Sequence, residues 1–352
     1  MDVFEKKVLV VGGGKSGIAA SALLLSQGKQ VILYDGNGSL DVQTLTEKVQ
    51  AEEAALLEAE KAAGIPEKTV GEGSFAVRLG DFAADWEAEL SLVVLSPGVP
   101  TDLPFVTALA AHLPIWGEVE LAYRFARGRI AAITGTNGKT TTTALTGEIM
   151  KDYYESVFVV GNIGIPYTST AALTRPDSVT VAEISSFQLE TIDTFHPQVS
   201  AILNITPDHL NRHHTMENYI KAKEDITKNQ GTADACVLNY EDEVLRAFGQ
   251  TLKTRVIWFS GVKPLEEGLW FDGKSIFIRR DGQTEKVCDI SELNLLGRHN
   301  YENVMAAVAI SLELGVPMDS IRGTLRRFTA VEHRIEFVAE KNGVAYYNDS
   351  KG

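Results

Sequence analysis

The residues that invite chemistry come in short polar motifs, each placed just after an apolar run. The run Ile130 to Ile133 leads into Gly135-Thr136-Asn137-Gly138-Lys139-Thr140-Thr141. A glycine-rich turn between a strand and a helix lets backbone N–H groups approach phosphate oxygens, and the helix N-terminus adds its dipole. Lys139 would neutralise the β- and γ-phosphates of a nucleoside triphosphate, and the Thr140 hydroxyl would bind Mg2+. One position departs from the general pattern: Ile133 stands where such a loop usually carries its first glycine. The plain alternative is an ordinary glycine turn.

Glu183, His209 and Lys223 form a second constellation. Glu183 ends the apolar run that starts at Val179 and precedes Ser185 and Ser186. A carboxylate there can hold a Mg2+ that also touches a nucleotide phosphate. By itself it would read as a solvated loop acid. His209 and His213, one helical turn apart, raise a zinc alternative. Neither cysteine is close to them, and Pro207 argues against a helix running through His209.

Gly12-Gly13-Gly14-Lys15-Ser16-Gly17 satisfies the dinucleotide fingerprint, with Asp35 at the end of the next strand. It places a diphosphate on a helix N-terminus and a ribose or sugar hydroxyl near Asp35, for a dinucleotide or a UDP-linked ligand alike. Ser96-Pro97-Gly98 either lines the same crevice or makes a plain turn. Asn300 and Asn303, one turn apart, could read an adenine edge, or Asn300 could simply cap its helix. Arg334, Asp349 and Lys351 read as surface charge at a domain junction.

These motifs need a scaffold that brings strand ends together. Val8 to Val11, Val31 to Tyr34 and Leu92 to Leu95 read as strands. Ile18 to Gln27 and Asp41 to Ala63 read as helices between them. The rhythm repeats from Gly128. Strands at Ile130–133, Val157–160, Val179–182 and Val199–205 each deliver a polar motif at the C-terminal end, so the four motifs are expected to face one cleft. Short strands with turns at Gly261, Gly268 and Gly273 follow, then a helix from Asn300 to Leu314. A strand at Val344 to Tyr347 precedes Asn348-Asp349-Ser350-Lys351. The expected fold is α/β: a Rossmann-like parallel-sheet domain over 1–127 and a phosphate-loop α/β domain over 128–328. A third domain is expected to start at 329, with only its beginning within residues 329–352.

Composition sets outer limits. The chain has 352 residues, 44% hydrophobic and 23% charged, which suits folded domains and excludes disordered or collagen-like classes. Acidic residues outnumber basic ones 47 to 33, for a net charge of -14, which disfavours nucleic acid and anionic membranes as partners. No apolar run is long enough to span a bilayer. Two cysteines, Cys236 and Cys288, make no disulfide framework, so a cytoplasmic location is expected.

Taken together and in this order, the motifs resemble the Mur ligase family of ATP-dependent amino-acid ligases. The likeness runs from Ser96-Pro97-Gly98-Val99-Pro100 and Gly117-Glu118-Val119-Glu120-Leu121-Ala122 through the Thr134–Thr142 loop. It continues in Gly161-Asn162-Ile163-Gly164, Glu183-Ile184-Ser185-Ser186-Phe187-Gln188-Leu189, Asp208-His209-Leu210, Gly297-Arg298-His299-Asn300 and Asn348-Asp349-Ser350-Lys351. The family's phosphate loop also lacks the early glycine, in keeping with Ile133.

The resemblance implies a Rossmann-like domain for a UDP-linked substrate, a central ATPase, and a C-terminal Rossmann-like domain of which this chain would carry the first strand and so be truncated. It implies ATP and Mg2+, with Lys139 and Thr140 serving the phosphates and Mg2+, and Glu183 and His209 as ligands of two Mg2+ ions. Lys223 matches a lysine that is carbamylated in the family and supports a metal. Asn300 and Asn303 would read adenine, and Arg334 and Asp349 would contact the nucleotide. Gly14, Lys15, Ser16, Asp35, Ser96, Pro97, Gly98, Asn162 and Lys351 would meet the substrate. The implied substrates are UDP-N-acetylmuramoyl-L-alanine and D-glutamate, joined through an acyl phosphate by a monomer. The alternatives are a sister ligase for another amino acid, a folylpolyglutamate-synthase-like enzyme, a nicotinamide-dependent dehydrogenase and an inactive nucleotide-binding fragment.

Overall fold

The computed structural model describes residues 3–66, 73–162 and 164–329, and the backbone of two further strands. The chain divides into two compact units. The first is Met1–Gly128 with Val160–Pro176 and Ser185–Phe195; the second is Arg129–Val159, Asp177–Ile184 and His196–Gly352.

The first unit opens with β1 (Lys7–Val11), α1 (Lys15–Ser26), β2 (Val31–Asp35), α2 (Val42–Ala62) and β3 (Phe75–Leu79). It continues with β4 (Leu90–Leu95), α3 (Pro104–Ala110), β5 (Ile115–Gly117) and α4 (Glu118–Phe125). The strands form one parallel sheet in the order β3-β2-β1-β4-β5. Successive β1 residues Val8, Leu9 and Val10 are all fully buried, as a parallel strand covered on both faces requires. The strand order reverses beside β1, so the crevice at the ends of β1 and β4 is a ligand position by topology. The sequence pattern does not mark β3 and β5. The first is a half-exposed edge strand and the second has three residues, too little for a periodic signal.

The second unit is built on β6 (Arg129–Thr134), α5 (Lys139–Lys151), β7 (Val157–Gly161), β8 (Val179–Glu183) and β9 (Val199–Ile202). A one-turn helix α6 (Ser186–Leu189) lies in the segment that returns to the first unit. Then come α7 (Leu210–His213), α8 (Met216–Glu224), β10 (Ala235–Asn239), α9 (Glu243–Gly249), β11 (Arg255–Ser260), β12 (Gly268–Phe271), β13 (Ser275–Arg280) and β14 (Gln283–Asp289). The helices α10 (Arg298–Glu313) and α11 (Met318–Arg327) close the unit. The sheet order is β14-β13-β12-β11-β10-β9-β6-β8-β7, parallel around β6 and antiparallel from β12 to β14. Its core joins Ile133, Leu145, Val181, Val237, Val304 and Ile310, so α5 and α10 share one buried face of the sheet. The ninth strand ends at Ile202 rather than at 205, because Leu203 and Asn204 turn toward the loop after β6.

Two strands, β15 (Glu336–Lys341) and β16 (Val344–Asn348), pair antiparallel. The sequence pattern marks only the second. The candidate residues Arg334, Asp349 and Lys351 lie outside the described residues.

The first unit depends on a close approach at Gly17. A Cβ there would sit 1.8 Å from the carbonyl oxygen of Gly12. Gly17→Ala must therefore displace the turn between β1 and α1. It is expected to cost about 1–3 kcal/mol in urea unfolding; an unchanged midpoint would contradict the packing described.

Candidate functional site

The strand β6 ends at Thr134, in register with Ile202 of β9, and Ile133 faces Glu183 across β8. This register puts the glycine loop, Glu183 and the chain after β9 at one sheet edge. The loop turns into α5 through Gly138 at φ 85, where a Cβ would fall 2.2 Å from Oδ1 of Asn303. No side chain caps α5 and its first turn holds no acidic residue. The helix thus presents N–H groups and a positive dipole end at the loop.

Two ammonium groups converge beneath this loop. Lys139 Nζ donates to the carbonyls of Gly135 at 2.9 Å and Thr136 at 2.8 Å. Lys223 Nζ, from α8, donates to the same Gly135 carbonyl at 2.8 Å. Lys223 is 2% exposed. Burial, and then the charge on Lys139, lower its amine from the ordinary 10.5 to about 7, with Asp208 pulling the other way. The Tyr219 ring lies 4.7 Å from this ammonium. Its hydroxyl is 3.0 Å from Thr136 Oγ1.

The loop is braced on its other sides. Asn137 N–H donates to Asn204 Oδ1 at 2.8 Å, and Asn204 returns an N–H to the Asn137 carbonyl at 3.1 Å. Thr142 Oγ1 donates to Asn303 Oδ1, and Asn303 donates to Asn300 Oδ1, both at 3.3 Å. Asn300 in turn donates to the Leu296 carbonyl at 2.7 Å. Gly297, not Asn300, is the N-cap of α10. Both amides are buried and engaged with the protein. Sequence reasoning missed Asn204 and Tyr219. The first is a polar residue closing an apolar run, which is a usable signal; the second is an aromatic on a short helix and gives none.

Glu183 is buried at the end of β8. His209 sits at φ 52, a left-handed conformation that is uncommon for histidine and marks a held residue. The carboxylate of its neighbour Asp208 accepts the His209 N–H at 2.8 Å and lies 3.4 Å from Nε2. His213 is buried against the Tyr219 ring. Among the described residues, no group of three or more His, Cys, Asp or Glu side chains is disposed to hold a metal ion, so the zinc alternative has no ligand set. The Mg2+ expectation asks for less protein. Mg2+ takes one or two carboxylates and fills its shell with phosphate and water, and Glu183 with the Thr140 hydroxyl fits that donor chemistry.

The first unit carries its own site. Gly13 N–H donates to Asp35 Oδ2 at 2.7 Å, and Asn37 N–H to Oδ1 at 2.9 Å. Ser96 Oγ donates to the Gly12 carbonyl at 3.3 Å, which brings the Ser96-Pro97-Gly98 turn to the glycine turn. The helix α1 starts after Gly14 with no side-chain cap and no acid in its first turn, leaving Lys15 and Ser16 at its mouth. Asn162 follows β7 on an exposed turn closed by Gly161 N–H to the Ile165 carbonyl at 3.0 Å.

A phosphate-loop α/β unit and a Rossmann-like unit in one chain are the parts of an ATP-dependent ligase, and the comparisons define which. The Mur ligase middle domain model matches residues 133–311, and the chain belongs to the Mur ligase family, whose members are Mg2+-requiring, ATP-dependent amide ligases. It is 56% identical to the UDP-N-acetylmuramoylalanine–D-glutamate ligase of Lachnoclostridium phytofermentans, over 100% of this chain and 73% of the relative. Against the enzyme of the same name from Lachnospira eligens the identity is 50%, over 100% and 74%. The UDP-N-acetylmuramate:L-alanyl-γ-D-glutamyl-meso-diaminopimelate ligase from Neisseria meningitides shares the fold at TM-score 0.58 and 17% identity, over 93% of this chain and 99% of that one. The UDP-N-acetylmuramate–alanine ligase of Thermotoga maritima does so at 0.53 and 22%, over 96% and 72%. The fingerprint at Gly12–Gly17 thus belongs to a ligase and not to a dehydrogenase.

The lowered amine makes a stability prediction. Below pH 7 the folded protein carries a buried, repelled ammonium. The unfolded chain holds the proton up to about 10.5, so unfolding binds protons between these values and stability rises with pH across that window. In CO2-free buffer, Lys223→Met should remove about 5 kcal/mol of that rise. A variant whose pH profile of unfolding parallels the parent would contradict it.

Proposed function

We propose that this chain joins D-glutamate to UDP-N-acetylmuramoyl-L-alanine at the expense of ATP, in the cytoplasm and as a monomer. The observation that carries the reading is the pair of lysine amines on the Gly135 carbonyl, beside an uncapped helix N-terminus. A helix N-terminus with lysine amines beside it favours the phosphates of a nucleoside triphosphate. The relatives at 56% and 50% identity carry the D-glutamate ligase name, which favours that amino acid over those of the sister ligases. The assignment of 1–127 to the UDP ligand, 128–328 to ATP and 329 onward to a third domain is part of the proposal.

The alanyl carboxylate attacks the γ-phosphorus, a P–O bond to ADP breaks, and an acyl phosphate forms. The deprotonated amine of D-glutamate then attacks the acyl carbon, an amide bond forms, and phosphate leaves. The first step pushes an anion onto a polyanion, so charge neutralisation is the main demand. Lys139, released from its two carbonyls, would follow the transferred phosphate, and the N–H groups of Gly138 to Thr141 would hold the others, those of Thr136 and Asn137 being bonded to Asn204 within the Gly135–Thr141 loop. Mg2+, on Thr140, Glu183 and His209, would screen the phosphate charge when bound. Asn303 would hold the loop and, with Asn300, the adenine. Arg334 and Asp349 would meet the nucleotide, and Lys351 the substrate. In the first unit, Gly14, Lys15 and Ser16 would take the diphosphate, and Asp35 a sugar hydroxyl. Ser96, Pro97 and Gly98 would wall the pocket, and Asn162 would contact the muramoyl part.

Lys223 fits carbamylation. A neutral amine adds to CO2, an N–C bond forms and one proton leaves to solvent. An amine near pH 7 is substantially neutral at physiological pH. The product replaces a cation that repels Lys139 with an anion that attracts it and can support a metal. Mass spectrometry of the intact chain in bicarbonate at neutral pH should show one added CO2, lost in Lys223→Met.

The functional test is phosphate release with Mg2+-ATP and UDP-N-acetylmuramoyl-L-alanine, with and without D-glutamate, on this chain and on one extended to the length of its relatives. Release that requires D-glutamate supports the reading, and Lys139→Ala should lower it by about 10²–10³-fold. Release that answers to a different amino acid would move the chain to a sister ligase.

A further inference from the structure

Glu118 is a buried carboxylate that the reaction above does not use. It stands at the first residue of α4 and is 2% exposed. Its Oε1 accepts the N–H of Thr168 at 2.7 Å and the Thr168 hydroxyl at 2.8 Å. A Tyr167 N–H also bonds it, and no cation among the described residues shifts it. Burial raises its pKa against these bonds. All of its bonding is therefore spent on one turn of chain, Tyr167 to Thr168, both fully buried.

That turn closes the connection that carries Asn162. The exposed tip begins at Gly161, whose N–H bonds the Ile165 carbonyl at 3.0 Å, and Pro166 then leads into Tyr167. A second tie, Ser169 Oγ to Glu52 Oε1 at 2.8 Å, fixes the far side of the same turn to α2. The tip is thus a short lever with its fulcrum at Thr168, and Glu118 holds the fulcrum. Two residues along α4, Glu120 does a parallel task for a different segment. Its carboxylate collects the N–H groups of Asp193, Thr194 and Phe195 at 2.8–3.1 Å and pairs with Arg124 at 2.6 Å. The two carboxylates differ in which connection they hold, so each is a control for the other.

We propose that Glu118 is a positioning residue for the UDP-linked substrate, acting through Thr168 on Asn162. The inference rests on the reading of Asn162 as a substrate contact. A carboxylate that merely stabilised the fold would affect every ligand alike. One that sets the Asn162 tip affects only the ligand that the tip touches.

The test is calorimetric titration of the chain with UDP-N-acetylmuramoyl-L-alanine and, separately, with Mg2+-ATP. Glu118→Gln keeps the side-chain volume and one acceptor oxygen. It is expected to weaken the UDP ligand by about tenfold or more, since small misplacement of a contact is costly, and to leave Mg2+-ATP within about twofold. Thr168→Val removes the hydroxyl alone and should act in the same direction by less, which covers the case in which Glu118→Gln fails to fold. Glu120→Gln should lower the unfolding temperature without this selectivity. In an Asn162→Ala background, Glu118→Gln should have no further effect on the UDP ligand. Equal weakening of both ligands, an unchanged UDP affinity, or additive effects of Glu118→Gln and Asn162→Ala would each overturn the proposal. If the unsubstituted chain binds Mg2+-ATP but not the UDP ligand, the substrate reading itself falls, and the positioning role falls with it.

Discussion

Two lysine amines share one carbonyl oxygen, and the rest of the second unit follows from that constraint. Lys139 and Lys223 reach the Gly135 carbonyl from different helices, at 2.9 and 2.8 Å. Two like charges so close would be costly, and burial together with the charge on Lys139 lowers the Lys223 amine to about 7. Asp208 pulls the Lys223 amine the other way from an exposed position, and the Tyr219 ring lies 4.7 Å from it. The structure also rigidifies the loop around the pair. Asn204 pins Asn137, Tyr219 pins Thr136, and Asn303 fills the space that a side chain at Gly138 would need. Such a site is held ready for an anion before the anion arrives, which is what charge stabilisation in phosphoryl transfer demands.

The first unit solves a related problem with different means. Its glycine turn also opens an uncapped helix, yet here Asp35 already takes one N–H of the turn. That carboxylate fixes the turn and bars a second anion from its own position; in the function proposed, the helix mouth at Lys15 and Ser16 would take phosphate and Asp35 a hydroxyl. Under the function proposed, a chain of net charge -14 would bind polyanionic ligands at two local sites while repelling anions in general.

Much of this was legible in the sequence, where local chemistry and local geometry coincide. The glycine turns need little beyond their own residues to form, so Gly12–Gly17 and Gly135–Thr141 are visible directly. Central strands such as Lys7–Val11 and Arg129–Thr134 are continuous apolar runs because both faces are covered. What escaped depends on long-range partners. The edge strands Phe75–Leu79 and Ile115–Gly117 are fixed by their neighbours, not by periodicity. The segments Val160–Pro176 and Ser185–Phe195 belong with the first unit although they follow strands of the second, and the carboxylates that hold them are fifty or more positions away in sequence. The burial of Lys223 is likewise a tertiary fact, since Lys221, two residues earlier, is exposed and pairs with Asp225 at 2.5 Å.

The most direct test of the central claim is a crystal structure of the chain with Mg2+ and a non-hydrolysable ATP analogue. The account predicts that Lys139 Nζ leaves the carbonyls of Gly135 and Thr136 for the terminal phosphates, while the loop backbone and its bonds to Asn204 and Tyr219 stay in place. A nucleotide bound elsewhere, or one bound at the loop with Lys139 still on both carbonyls, would contradict it.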